Sequence, residues 1–73
     1  MRLPVKRMAE VKKVANEAVL SEDRALRGFA NSCLNQLSEV RRAVEKGDAR
    51  RAHDAMDRAE RMANRIRTMQ GTS

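Results

Sequence analysis

The chain has 73 residues, of which 41% are hydrophobic, 36% are charged and 1% are aromatic, and its formal net charge is +6. At this length a single core supplies only roughly 3–5 kcal/mol of stability, and one cysteine with one histidine gives neither an internal disulfide nor a four-ligand metal site. The composition is typical of long helices packed through aliphatic seams and argues against a β-rich fold. We therefore expect one all-α domain over residues 1–73, reinforced by self-association or by docking on a partner, and no cofactor.

The first predicted helix covers about residues 5–20 and follows Pro4, which a first helical turn tolerates because its missing N–H has no partner there. Its apolar positions recur at helical spacing and are Met8, Val11, Ala15 and Ala18. Bases outnumber acids on the remaining positions, and these bases include Lys6, Arg7, Lys12 and Lys13. The segment is expected to be a short basic amphipathic helix that can contact phosphate groups or an acidic protein.

A break between the first two helices is predicted near residues 20–23. The apolar register slips by one residue there, and Ser21 can cap a helix whose first turn holds Glu22 and Asp23. The second helix is expected at about residues 22–46. Its inward positions alternate four and three residues apart, as in a coiled-coil seam. They are Leu26, Ala30, Cys33, Leu37, Val40 and Val44.

A tight turn is predicted at residues 47–48, where Gly47 can end one helix and Asp48 can cap the next. The third helix is expected at about residues 49–70. Its inward stripe consists of Ala52, Ala55, Ala59, Met62, Ile66 and Met69. Two matched stripes joined by a short turn predict a long antiparallel helical hairpin.

Apolar residues outside this seam predict a further contact surface. Two packed helices cannot bury apolar surfaces that extend beyond the seam between them. We therefore expect the flanking residues to be covered by the first helix, by a second copy of the chain, or by both. The predicted partner-interface residues are Met8, Val11, Phe29, Leu34, Met56 and Ala63. The expected architecture is a three-helix subunit that assembles into a dimeric helical bundle.

No catalytic, metal-binding or cofactor-binding residue is predicted. Cys33 and His53 could act as nucleophile and base only in contact, at about 3 Å. Hairpin pairing instead separates them by about eight residues, on the order of 12 Å along the helix axes. Cys33 is therefore expected in the core and His53 on the surface.

The expected function is that of a non-catalytic regulator, adaptor or inhibitor that binds proteins, including itself, in the cytoplasm. The alternative is a basic regulator that binds the backbone of RNA or DNA. For that alternative the predicted phosphate contacts are Lys6, Arg7, Lys12, Lys13, Arg51, Arg58 and Arg65. A membrane is not expected, because no apolar run approaches ~18 residues and the first helix has no aromatic anchor. A small-molecule substrate is not expected either, because the sequence shows no reactive cluster.

The layout of residues 22–70, a long hairpin with a tight turn at Gly47 and an alanine-rich seam, resembles the Rop family of plasmid copy-number regulators. The resemblance implies that two hairpins pair into a four-helix bundle and that one helical face binds paired RNA loops. The basic segment before Ser21 departs from that family's pattern. The same outline is similar to that of small secretion chaperones and of phage or plasmid inhibitors.

Overall fold

Three α-helices make up the part of the chain that this computed structural model describes, residues 2–71. They are α1 (Val5–Ala18), α2 (Arg24–Glu45) and α3 (Ala49–Gly71). No strand occurs within these residues, which confirms the all-α class. The molecule measures 40 × 16 × 15 Å, because the two long helices lie antiparallel along its length.

At the turn between α2 and α3, backbone hydrogen bonds cap the end of α2 and a side chain caps the start of α3. Gly47 has a φ of 72°, a left-handed conformation that favours glycine. In that conformation the N–H of Gly47 donates to the carbonyl of Val44 at 3.0 Å and the N–H of Asp48 donates to the carbonyl of Ala43 at 2.8 Å. The Asp48 carboxylate then accepts from the N–H of Arg51 at 3.1 Å and caps α3. These bonds pair some of the backbone groups that each helix end leaves free.

The connection between α1 and α2 corrects the predicted boundaries. α1 ends at Ala18, and α2 begins after Asp23, two residues later than the sequence pattern indicated. Asp23 is the N-cap because its backbone is extended and its carboxylate accepts from the N–H of Ala25 at 2.9 Å, where the helix dipole favours an anion. Ser21, the predicted cap, instead accepts from the N–H of Asp23 at 3.0 Å.

α1 lies along one side of the hairpin, at the end remote from the turn. Arg7 reaches Asp57 and Glu60 on α3, and Glu10 reaches Arg67 at 3.5 Å, so α1 runs in the same direction as α3. Because α1 begins opposite Asp57, the end of the hairpin next to the turn projects beyond it. The molecule is three helices thick at one end and two helices thick at the other.

The core lies where the three helices meet, and among the described residues it contains no buried polar or charged side chain. Alanines dominate the α3 side of the α2–α3 seam, where Ala52, Ala55 and Ala59 are all buried, so the two backbones can approach closely. The bulkier Met56 and Ile66 fill the space that α1 closes, and both are fully buried. The predicted hairpin seam agrees with this packing, although Val44, Met62 and Met69 are half-buried.

Candidate binding surfaces

The cysteine and the histidine lie apart. The Cys33 thiol donates to the carbonyl of Ala59 at 3.6 Å inside the seam, and burial raises its pKa. His53 is exposed on α3, six positions before Ala59 and thus about 9 Å along the helix axis. A buried thiol with a raised pKa holds little thiolate, which is the reactive form.

Four of the predicted partner-interface residues belong to the core of the single chain. Met8, Val11, Met56 and Ala63 are buried, because α1 lies against the flank of the hairpin that the sequence pattern left uncovered. In this conformation these four residues offer a partner little surface, and their part in an interface stays a prediction. Phe29 and Leu34, the other two predicted interface residues, remain half-buried.

Arg7 joins α1 to α3 through two carboxylates. Its guanidinium donates to Glu60 through Nε at 3.2 Å and also through a terminal nitrogen, and it lies 3.4 Å from Asp57. The hydrogen bond from Arg7 holds the pKa of Glu60 below its ordinary value, and the same bond raises the pKa of Arg7. Arg7 was predicted as a phosphate contact; in the structure it pairs with two carboxylates of α3, and the phosphate contact stays a prediction.

A groove of about 440 Å³ lies between the start of α1 and the middle of α2. Its apolar walls are formed by Leu3, Val5, Met8, Ala9, Leu34 and Leu37. Leu3 and Val5, which both line this groove, are 40% and 67% exposed. This groove is an apolar surface that α1 leaves open.

The polar residues at this groove are Lys12, Ser38 and Arg41. Neither Lys12 nor Arg41 forms an ion pair with any residue in the described range 2–71. The lining thus contains two cations and no anion. The groove combines exposed aliphatic surface with unneutralised positive charge.

A second surface is a row of three exposed arginines on α3, Arg51, Arg58 and Arg65. The guanidinium carbon of Arg65 lies 5.4 Å from the centre of the Phe29 ring on α2, within the range of cation–π attraction. Residues two positions apart point to opposite sides of a helix, so Arg58 and Arg65 point away from the side on which Glu60 and Arg67 contact α1. We call this face of the hairpin the arginine face.

The predicted phosphate contacts are therefore divided between two parts of the molecule. Lys6, Lys12 and Lys13 are exposed on α1, whereas the arginine row lies on the face of the hairpin opposite α1. No member of the arginine row forms an ion pair with a carboxylate within the described part of the chain. Arg58 donates through Nε to the carbonyl of Asp54 at 3.3 Å, an intrahelical bond that leaves its terminal nitrogens free of any ion pair.

The groove was missed by the sequence reasoning because its lining does not follow one helical stripe. Leu3 precedes α1, and Val5 lies outside the apolar stripe of α1. Leu37 was assigned to the hairpin seam, and Arg41 was not singled out. The one available signal was the apolar pair Leu3 and Val5 around Pro4, at the start of a helix whose stripe begins only at Met8.

No protein-family model matches the chain, and no curated protein or solved structure matches it either. None of the helices within residues 2–71 contains an apolar stretch of the kind needed to span a bilayer. The same residues hold no cluster of three or more histidine, cysteine or acidic side chains placed to bind a metal ion. The groove and the arginine face are thus the features from which a function can be proposed.

Proposed function

We propose that this protein is a non-catalytic helical module that binds another protein, as a regulator, adaptor or inhibitor in the cytoplasm. The observation that supports the proposal is the groove between α1 and α2, where Leu3 and Val5 keep 40% and 67% of their surface exposed beside half-buried Leu34. Exposed aliphatic clusters of this kind are typical of surfaces that bury themselves against a partner.

The packing of the subunit supports the same proposal. The three helices bury Met8, Val11, Met56 and Ala63 within one chain, so the core does not depend on a partner at the flank of the hairpin. The apolar side chains that stay exposed at the groove are therefore in excess of what the fold itself needs. Covering them removes aliphatic surface from water, which favours association by roughly 25 cal/mol for each Å² buried.

Site-specific photocrosslinking in the native host tests the proposal. A photoreactive amino acid at position 5 should crosslink to another protein, whereas the same amino acid at Thr68, an exposed position on α3, should not. Crosslinks to nucleic acid at position 5, or equal protein crosslinking at both positions, would contradict a protein-binding groove.

Self-association into a dimeric helical bundle is a second part of the proposal. It is supported by the end of the hairpin next to the turn, which is only two helices thick and leaves Val44 half-buried. Sedimentation equilibrium at micromolar concentration should detect a dimer, and Val44→Asp should shift the equilibrium towards monomer. A folded monomer at every concentration would remove this part of the proposal without affecting the groove.

Binding to RNA or DNA backbones is the alternative function, and the arginine face favours it. Three exposed guanidinium groups lie one above another at intervals of seven residues, about 10.5 Å apart along the helix, and none forms an ion pair among the described residues. Arginine contacts phosphates in bidentate geometry, and such contacts give the binding constant a strong salt dependence.

Salt titration with a duplex RNA and a duplex DNA tests this alternative. A triple variant that changes Arg51, Arg58 and Arg65 to Gln should reduce the slope of log K against log salt by about 1 for each lost contact. The matched control removes the same number of charges elsewhere, by changing the exposed residues Arg2, Arg24 and Lys46 to Gln. Equal losses in the two variants would show that only net charge matters, and unmeasurable binding by the parent protein would exclude the alternative.

A further inference from the structure

We infer that the groove between α1 and α2 receives an amphipathic helix of a partner protein whose polar flank is acidic. The inference rests on the proposed function and adds to it the secondary structure and the charge of the occupant. The groove's charge, its position at the start of α1 and its length each support it.

The lining of the groove carries two cations, and neither forms an ion pair within residues 2–71. Lys12 lines the groove from α1 and Arg41 from α2, so the two cations lie on opposite walls. The acid two positions before each of them pairs with another base, since Glu10 contacts Arg67 at 3.5 Å and Glu39 contacts Arg42 at 3.2 Å. An acidic partner would supply the missing countercharges, and complementary charges of this kind steer and select partners.

The start of α1 adds to this positive potential. The first turn of α1 holds no acidic residue, and Pro4 provides no side-chain cap. The N-terminal end of a helix carries partial positive charge, and Leu3 and Val5, which lie at this end of α1, belong to the groove's lining. A partner carboxylate near these residues would meet the helix terminus as well as the two side-chain cations.

The length of the groove suits a helix. From Leu34 to Arg41 the α2 wall covers seven residue steps, about 10.5 Å or two helical turns. An incoming helix would place apolar side chains at positions i, i+4 and i+7 along that distance, which is how amphipathic helices occupy grooves. A second copy of this chain is a poorer occupant, because it would bring a net charge of +6 to a groove lined only by cations.

A displayed library of helical peptides tests the inference on the full-length chain. The library fixes aliphatic residues at i, i+4 and i+7 and randomises the neighbouring polar positions. Selection is run against the parent protein, a charge-reversed variant (Lys12→Glu with Arg41→Glu) and a control variant with the same charge change at other exposed sites (Lys13→Glu with Arg58→Glu). Amide chemical shifts in two-dimensional NMR show where each selected peptide binds.

We expect peptides selected on the parent protein to be enriched in Asp and Glu and to shift the amide signals of Leu3, Val5 and residues 34–41. Their affinity should fall about tenfold or more on the charge-reversed variant and change little on the control variant. Unchanged circular dichroism and thermal unfolding of both variants would establish that they remain folded.

Three other outcomes would overturn the inference, and they differ in whether the proposed function is retained. Peptides that bind in the groove without acidic enrichment, and with equal affinity for the charge-reversed variant, would refute the acidic flank but retain the proposed function. Failure of every library to yield a peptide that shifts the groove signals would refute both. Groove signals that move with protein concentration alone, or on addition of duplex RNA, would identify a second copy or a nucleic acid as the occupant.

Discussion

Two glycines in the long hairpin should respond in opposite ways to the same substitution. Gly47 lies in the left-handed region with a φ of 72°, whereas Gly28 lies inside α2. A Cβ added at either position meets no atom within 4 Å, so crowding contributes to neither effect. The difference between Gly47→Ala and Gly28→Ala therefore isolates backbone conformation.

The expected magnitudes follow from that difference. A left-handed conformation costs an L-residue roughly 1–2 kcal/mol, so Gly47→Ala should lower the free energy of unfolding by about 1 kcal/mol or more. Inside a helix, alanine is favoured over glycine by about 0.5–1 kcal/mol, so Gly28→Ala should raise the same quantity. For a domain of this size, 1 kcal/mol corresponds to a change in Tm of about 4–8 °C.

Thermal unfolding followed by far-ultraviolet circular dichroism, together with urea denaturation, measures both changes. The double variant should show their sum, since the two sites are nineteen positions apart on the chain and distant sites are additive. An increase in Tm for Gly47→Ala would mean that residue 47 is helical, and α2 and α3 would then form one continuous rod instead of a hairpin.

Three further predictions concern the core, the α1–α3 ion pair and the buried thiol. Met56→Ala should lower the free energy of unfolding, measured in urea, by about 2–5 kcal/mol because it leaves a cavity. Leu20→Ala, at a side chain that is 84% exposed, should change it by less than about 0.5 kcal/mol. Similar effects of the two substitutions would contradict the three-helix core. Arg7→Gln should cost less than about 1 kcal/mol, since Arg7 and Glu60 are both more than a third exposed to screening solvent. Because Arg7 lowers the pKa of Glu60 from its ordinary value of 4.5, this cost should be present above that pH and disappear as the pH falls through the lowered pKa, and a cost that does not vary with pH would exclude the ion pair as its source. Cys33 should react with a disulfide reagent on the order of 100-fold more slowly in the native protein than in urea, since reaction requires opening of the structure; rapid native labelling would place the thiol outside the seam.

The hairpin could be predicted from the sequence because its signals are local. Gly47 followed by Asp48 specifies a stop and a start within two residues, and the paired seams repeat at coiled-coil spacing on both sides of that turn. The start of α2 was harder to place, because Ser21 and Asp23 are both good capping residues two positions apart. The extended backbone of Asp23 identifies it as the N-cap in the structure, and the sequence alone does not distinguish the two residues.

The groove could not be predicted, because it depends on where one helix rests on two others. The apolar stripe of α1 shows which of its faces is buried, but not which flank of the hairpin it covers. That choice buries Met8 and Met56 together and leaves Leu3 and Val5 beside α2. It also places Arg7 against α3, where this residue, predicted from the sequence as a phosphate contact, forms ion pairs with Asp57 and Glu60.

The alanines on the α3 side of the seam lie level with the α2 wall of the groove, since Cys33 contacts Ala59. Ala52, Ala55 and Ala59 are buried against α2 in the half of the hairpin nearer the turn. Their small side chains set a short distance between the axes of α2 and α3. A larger side chain at any of these positions would increase the distance between α2 and α3, and the increase would grow with distance from the turn. α1 contacts both α2 and α3, so the width of its groove on α2 depends partly on alanine methyl groups that do not line it.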